Sequence, residues 1–246
     1  MKQALSILSV AVVGVLIWQG VIFTMNMPPF LLPAPVAVLK SFWLNRAEIG
    51  NAALYTGIEV LLGFSIGATL GAGLAILMAS SRKVGEILHP LLTFSQTIPV
   101  FALAPILTLW FGYDILPKVV MTVLIVFFPV ASAFLDGLVR TPPSALDLAH
   151  VMNATPGRRM WFLRVPAAVP QLETGMRLAA VYAPIGAVIG EWVGGAKGLG
   201  ALMIHANGRM KTDLVFAALL ALSLMTVLFA RLVSVTLRRL LGRYGA

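Results

Sequence analysis

Long uncharged stretches dominate the pattern of hydrophobic and polar positions along this chain. Six of them are long enough to cross about 30 Å of hydrocarbon as helices. One polar stretch, 140–166, separates the fourth from the fifth. The pattern therefore predicts an all-α integral membrane protein with a single domain over residues 1–246. The predicted spans are 4–25, 60–81, 90–113, 118–137, 167–193 and 213–232.

The first apolar stretch, 4–25, has two interpretations. One is a secretory signal peptide, and the other is an uncleaved first span. The apolar run is longer than the core of a usual signal peptide, and residues 23–26 lack a small-residue cleavage site. We therefore treat it as a span. Four prolines in 28–35 then forbid a helix, and 36–44 is predicted to form a short interfacial helix.

The composition agrees with a membrane protein and excludes several kinds of site. Residues are 59% hydrophobic and 11% charged, against roughly 25% charged in soluble domains. The absence of cysteine excludes thiolate chemistry, and the three histidines lack metal-ligand spacing. We predict no catalytic, metal-binding or cofactor-binding residue in this chain. The five tryptophans lie near predicted span ends, as in an ordinary interfacial belt, and no ligand role is predicted for them.

The net charge of +9 is better explained by topology than by nucleic-acid binding. With both termini on one side, eleven basic residues fall on that side and six on the other. Cytoplasmic loops carry an excess of Lys and Arg, so both termini are predicted to be cytoplasmic, in the inner membrane. The stretch 140–166 is then cytoplasmic, and the glycine-rich segment 191–213 is an external loop.

Small residues and prolines give two spans distinct predicted roles. Gly63, Gly67 and Gly71 share one face of the second span, which predicts close contact with another helix. Pro99 and Pro105 interrupt the third span. Two interpretations of that span stay open: it lines a substrate path, or it is a kinked packing helix.

Charge inside the spans is predicted to be scarce. Glu59 is placed at the end of the second span, and no span has an acidic residue at its centre, which disfavours a proton relay. Arg177 is the one candidate charge inside a span. It either snorkels to the interface or faces a polar interior.

The first half of the polar stretch carries the signals of a short helix. Ser144 followed by Asp147 has the spacing of a capping box and predicts a helix start at Ser144, with Asp147 in the first turn. Asn153 is predicted to end that helix, because Asn tolerates the left-handed conformation.

The second half of the stretch predicts another short helix. Thr155 is a second candidate N-cap, and Pro156 follows at the first helical position, where its missing N–H is harmless. Pro166 and Pro170 are predicted to close the unit. The alternative is an ordinary cytoplasmic loop.

The polar stretch resembles the cytoplasmic signature of binding-protein-dependent ABC importer permeases. That signature reads Glu-Ala-Ala, three residues, Gly, nine residues, then Ile-x-Leu-Pro. The same spacing here holds residues 147–149, then Asn153, then 163–166 ending in Pro166. Asp replaces Glu, Leu replaces Ala, Asn replaces Gly, Leu replaces Ile and Val replaces Leu. Each departure keeps the physical character of its position.

Further stretches are similar to the same family in the same order, although Glu59 stands where Arg is usual. The segment 205–213 resembles the hydroxymethylpyrimidine-type permeases, within a branch that also serves nitrate, taurine and alkylsulfonates. The other matching stretches are 32–35, Thr56 with 63–64, 98–99, 104–105, 110–112, and Glu191 with 198–200.

The resemblance implies a permease subunit that imports a small polar organic solute, a thiamine pyrimidine precursor or a sulfonate. It implies a homodimer, two cytoplasmic ATPase subunits that use ATP and Mg²⁺, and an external solute-binding protein. This chain would bind no cofactor. The implied ATPase-coupling residues are Asp147, Leu148, Ala149, Met152, Asn153 and Pro166. The candidate pathway or gate residues are Pro99, Pro105, Arg177 and Glu191.

Two other functions remain as alternatives. A secondary transporter or channel without an ATPase would need charge inside the membrane, for which Arg177 is the candidate. A membrane-anchored scaffold is the third, and the proline-broken third span argues mildly against it.

Overall fold

The structure is a computed structural model that describes residues 2–241. Its regular elements over that range are all helical, including one π-helical turn, Met160–Arg164. The helices are α1 Lys2–Met25, α2 Pro35–Leu44, α3 Arg46–Ser80, α4 Arg82–Ser95, α5 Val100–Phe111, α6 Ile115–Val139, α7 Pro143–Val151, α8 Pro156–Arg159, α9 Val165–Gly194, α10 Leu199–Gly208 and α11 Thr212–Leu241.

Four stretches of continuous helix in the described part of the chain are long and apolar enough to cross a membrane. They are 46–80, 115–139, 156–194 and 212–240. The pair α4 and α5, bent by 92°, makes a fifth if it is counted as one span. The predicted first span lies in α1, whose apolar segment Val12–Met25 is shorter. The structure thus shows an all-helical membrane protein with four to five candidate spans.

Helix α6 lies at the centre of the bundle and packs along both α3 and α9. The predicted small-residue face on α3 is confirmed. A Cβ atom at Gly63 would overlap Cβ of Thr122, and one at Gly67 would lie 2.9 Å from Cγ1 of Val126. Gly71 is equally close to the α6 backbone. Any side chain on this face would separate the two helices.

Helix α9 approaches α6 from another side in the same way. A Cβ at Gly186 would lie 2.6 Å from Cα of Thr122, and one at Gly190 would lie 2.8 Å from Cα of Lys118. Thr122 is therefore in contact with a glycine of α3 and a glycine of α9. Close backbone approach of this kind gives dispersion contacts that lipid cannot replace.

The helices extend beyond several of the predicted spans. Helix α3 begins at Arg46, before the predicted start at 60, and α4 begins at Arg82, before the predicted start at 90. The third span breaks between α4 and α5, with Pro99 as the N-cap of α5, whereas Pro105 lies inside α5 without ending it. At Pro99 the missing N–H costs little, because the first N–H groups of a helix have no partner in it, whereas at Pro105 the ring removes the bond that an N–H would make to the carbonyl of Phe101. The helix predicted over 36–44 is confirmed as α2, and its interfacial position stays a prediction.

The glycine face of α3 offers a direct test of this packing. Gly67→Leu should lower the free energy of unfolding by about 1–3 kcal/mol, because the added side chain overpacks the contact with α6. The matched control is Gly73→Leu on the same helix, where a Cβ atom would meet nothing within 4 Å. Thermal unfolding in detergent measures both variants. Equal stability of the two would show that the Gly67 face does not hold α6.

Candidate functional site

Helix α7 projects from one end of the bundle, which we call the α7 end. None of its residues is buried. Leu148, Val151 and Met152 are 62%, 79% and 73% exposed. Apolar side chains gathered on an unpacked helix are typical of a surface that binds another protein.

The start of α7 differs from the prediction. The helix begins at Pro143, and its N-cap is Pro142, which makes no side-chain cap. Ser144 is therefore inside the helix, and Asp147 lies beyond its first turn. The predicted capping box is wrong because the two consecutive prolines, with fixed φ, start the helix before Ser144.

The end of α7 is a left-handed turn at Asn153, as predicted. Asn153 has φ +53°. Its N–H donates to the carbonyl of His150 at 2.9 Å, and the N–H of Ala154 donates to the carbonyl of Ala149 at 2.9 Å. These two bonds form a Schellman motif, which satisfies the last carbonyls of the helix.

The chain then returns to the bundle without a break. Thr155 is confirmed as an N-cap, because its hydroxyl accepts a hydrogen bond from the N–H of Arg158 at 3.3 Å. Pro166 and Pro170 do not close the unit, since α9 runs through both. Pro166 follows the π-helical turn Met160–Arg164 and lies inside the continuous helical stretch 156–194. The guanidinium of Arg164 donates to the carbonyl of Ala79 at 3.0 Å, so the turn is tied to the end of α3.

A groove of about 390 Å³ runs between α7 and the segment that follows it. Leu148, Ala149 and Met152 line one side, and Arg158 and Phe162 lie among the residues of the other. Three of the candidate coupling residues therefore share one surface, which we call the α7 groove. Asp147 and Pro166 do not line it, and Asn153 forms the adjoining turn.

The opposite end of the bundle contains a buried polar cluster that the sequence patterns did not predict. Glu59 of α3, Lys118 of α6 and Glu191 of α9 are 3%, 6% and 1% exposed. Glu59 lies inside α3 rather than at its end, so the prediction of Arg177 as the one charge inside a span is wrong. The three residues are far apart in sequence, and no spacing signal links them.

Glu191 fastens α10 to the bundle. One carboxylate oxygen accepts a hydrogen bond from the hydroxyl of Thr56 at 2.6 Å, and the other accepts from the N–H of Gly200 at 2.5 Å. The hydroxyl of Thr56 in turn accepts from the N–H of Leu199 at 2.8 Å. Two of the free N–H groups at the start of α10 are thus satisfied, and the carboxyl group of Glu191 lies at the positive end of that helix. We call this arrangement the Glu191 latch.

The latch explains the two glycines at the start of α10. Gly198 has φ +110°, and a Cβ there would overlap a carboxylate oxygen of Glu191. A Cβ at Gly200 would lie 2.8 Å from the other oxygen. Both positions must be glycine for the carboxylate to reach the helix. The predicted external loop 191–213 is therefore wrong in part, because α10 occupies its middle and is packed against the bundle.

Lys118 completes the cluster. Its ammonium lies 3.7 Å from a carboxylate oxygen of Glu59. The other oxygen of Glu59 has no hydrogen-bond partner among the described residues. Removing one member of a buried ion pair costs more than the pair contributes, because the remaining charge is left unpaired. The cluster therefore joins α3, α6 and α9 at this end.

The four candidate gate residues do not form one site. Pro99 lies at the break before α5, and Pro105 lies inside α5. Arg177 lies in the middle of α9 and pairs with Glu173 one turn away, while its Nε has no partner in the described part of the chain. Glu191 is engaged in the latch.

A bundle of long apolar helices around a glycine-packed central helix, with a helix projecting from one end, defines a polytopic membrane protein. Residues 67–242 match the family described as binding-protein-dependent transport system inner membrane component. The chain belongs to this family.

Curated relatives agree over most of the chain. A probable ABC transporter permease protein of Haemophilus influenzae is 47% identical over 213 residues, which are 86% of this chain and 87% of the relative. The formylaminopyrimidine transport permease ThiX of Halalkalibacterium halodurans is 38% identical over 81% of this chain and 80% of its own length. The riboflavin transport permease RibX of Chloroflexus aurantiacus is 34% identical over 93% of this chain and 86% of its own length. The chain is the transmembrane permease subunit of an ABC importer.

The turn at Asn153 gives a first prediction for this site. Asn153→Val should destabilise the turn by about 1–2 kcal/mol, because a β-branched residue is strained at positive φ. Asn153→Gly should be tolerated, since Gly adopts that conformation freely. The measurement is transport together with proteolytic sensitivity of the α7 region. Asn51→Val, at an exposed helical position, is the control. Wild-type behaviour of Asn153→Val would contradict the assignment.

The Glu191 latch gives a second prediction. Glu191→Ala should lower the free energy of unfolding by about 1–3 kcal/mol, because it leaves buried donors unsatisfied. Glu191→Gln should cost less, since its amide oxygen still accepts one bond. Thermal unfolding in detergent is the measurement. Glu86→Ala, which removes an exposed ion pair with Arg82, should change little. A loss no larger than that of the control would rule out the latch.

Proposed function

We propose that this permease subunit works as a homodimer in which each α7 groove docks on one cytoplasmic ATPase subunit. The observation that carries the proposal is a helix without a single buried residue, held in a fixed position by the Schellman motif and by the bond from Arg164 to Ala79. A projecting helix tied in this way can transmit force in both directions. ATP and Mg²⁺ would be used by the partner, and this chain would bind neither.

The proposed topology has six spans, with both termini and α7 on the cytoplasmic side. The excess of basic residues on that side supports this orientation. The opposite end of the bundle, which contains α10 and which we call the α10 end, would then face the external solute-binding protein. Exposed Arg209 and Lys211 beside α10 would form part of its docking surface.

The proposed pathway lies between the two subunits. The α4–α5 break at Pro99 and the polar pair of Arg177 with Glu173 lie on elements that would border it. Glu191 would act at the outer gate by fixing α10. The relatives named for formylaminopyrimidine and riboflavin transport support a small organic solute as the substrate. A thiamine pyrimidine precursor and a sulfonate are the two candidate classes.

A secondary transporter is the alternative function, and one observation favours it. The buried Glu59, Lys118 and Glu191 supply the charge inside the spans that such a transporter needs. These groups contact one another and the protein backbone, which agrees better with a structural role in holding the helices together. Vanadate would stop uptake by the ATP-driven importer and leave a secondary transporter active.

The α7 groove offers the decisive test. Ala149→Arg should place a long charged side chain in the groove and block docking sterically. The ATPase subunit should then be lost on co-purification, and transport should fall to background. Ser144→Arg is the matched control, because Ser144 is exposed on the same helix but does not line the groove. If Ala149→Arg still retains the ATPase and transports normally, α7 is not the coupling element.

A further inference from the structure

An open cavity of about 440 Å³ lies at the α10 end, between the end of α9, the residues after α5, and α10. Tyr113, Trp192 and His205 line it, together with the glycine-rich backbone 194–196. Its volume is within the range of small-molecule sites.

Two aromatic rings border this cavity and rest on glycine backbone. A Cβ at Gly194 would lie 3.2 Å from Cδ1 of Tyr113, and a Cβ at Gly200 would lie 3.1 Å from Cδ1 of Trp192. Each ring is therefore supported from one side. Tyr113 and Trp192 nevertheless remain 75% and 53% exposed. Supported and exposed rings are suited to stacking on a flat ligand.

The Glu191 latch fixes the support of both rings. It holds the start of α10, and with it Gly200, against α3. The N–H of Gly195 donates to the carbonyl of Glu191 at 2.8 Å, which also fixes the segment between the two rings. A site that is ordered before the ligand arrives loses less entropy on binding.

The charges around the cavity select the class of ligand. No Lys or Arg among residues 2–241 lines it. The nearby Lys197 is directed to Tyr55, with its ammonium 3.2 Å from the hydroxyl and 4.8 Å from the ring centre. Sites for sulfonate or carboxylate groups ordinarily supply guanidinium or ammonium donors. The cavity instead offers two aromatic rings, one imidazole and backbone polar groups. Glu191 also lines it, and both of its carboxylate oxygens are engaged by Thr56 and Gly200 in the latch.

We propose that this cavity is an outer subsite that accepts a flat, uncharged nitrogen heterocycle, with Tyr113 and Trp192 as its stacking residues. The inference rests on the proposed importer function and deepens it, because it favours a pyrimidine-type solute over a sulfonate. The subsite lies at the outer end of an exposed face of α9 that continues through Tyr182, Leu178 and Thr174 toward the middle of the helix. Trp192 is thus more than a member of an interfacial belt.

The test is equilibrium binding of radiolabelled formylaminopyrimidine to the permease–ATPase complex in lipid nanodiscs without nucleotide. Trp192→Ala and Tyr113→Ala should each weaken binding about tenfold, since loss of a stacking contact has roughly that effect. Trp192→Phe and Tyr113→Phe should bind nearly as wild type. Trp43→Ala, at a 67% exposed Trp on α2, is the control and should not change binding. Unlabelled taurine should not compete.

Three results would overturn the proposal: no binding to the wild type, unchanged binding in both alanine variants, or displacement by taurine. Stimulation of ATPase activity by the loaded binding protein is measured in the same variants, to separate a ligand subsite from a protein-docking surface. If stimulation is lost together with binding, the two rings belong to a protein-docking surface and the proposal fails. The binding assay requires neither hydrolysis nor transport, so its failure is distinguishable from failure of α7 coupling.

Discussion

The close backbone approach of α3 and α9 to α6 is the contact on which the other features depend. In lipid, apolar side chains gain little by leaving one apolar surrounding for another, so helices associate through fit. Glycines on α3 and α9 allow that fit, and Thr122 is held between Gly63 and Gly186. The Glu191 latch joins groups of α3, α9 and α10. The segment after α7 leads into α9 and is tied to α3 through Arg164.

The two ends of the bundle are therefore joined through the same packed helices. At one end, Arg164 ties the segment after α7 to α3. At the other, Glu191 of α9 and Thr56 of α3 hold α10. Under the proposed coupling, a displacement applied at α7 would be passed along these tightly packed helices. This construction suits a machine in which nucleotide-driven movement of whole subunits opens one side and closes the other.

Local signals in the sequence predicted local structure well. The left-handed turn at Asn153, the cap at Thr155 and the glycine face of α3 were all predictable, because each depends on neighbouring residues or on one helical period. The capping box at Ser144 failed, since the preceding prolines offered an earlier start. The hidden helix α10 and the Glu59–Lys118–Glu191 cluster could not be predicted, because they exist only where three distant helices meet. The six-span count remains a prediction.

The exposed apolar face of α7 has a consequence for the life of the protein before assembly. Until a partner covers them, Leu148, Val151 and Met152 stay in water. Such surfaces are what chaperones and quality-control proteases recognise, and a protein's abundance depends on how long they remain uncovered. An orphan subunit would therefore be degraded faster than an assembled one. The helix proposed to dock on the ATPase would then also match the amount of permease in the cell to the supply of its partner.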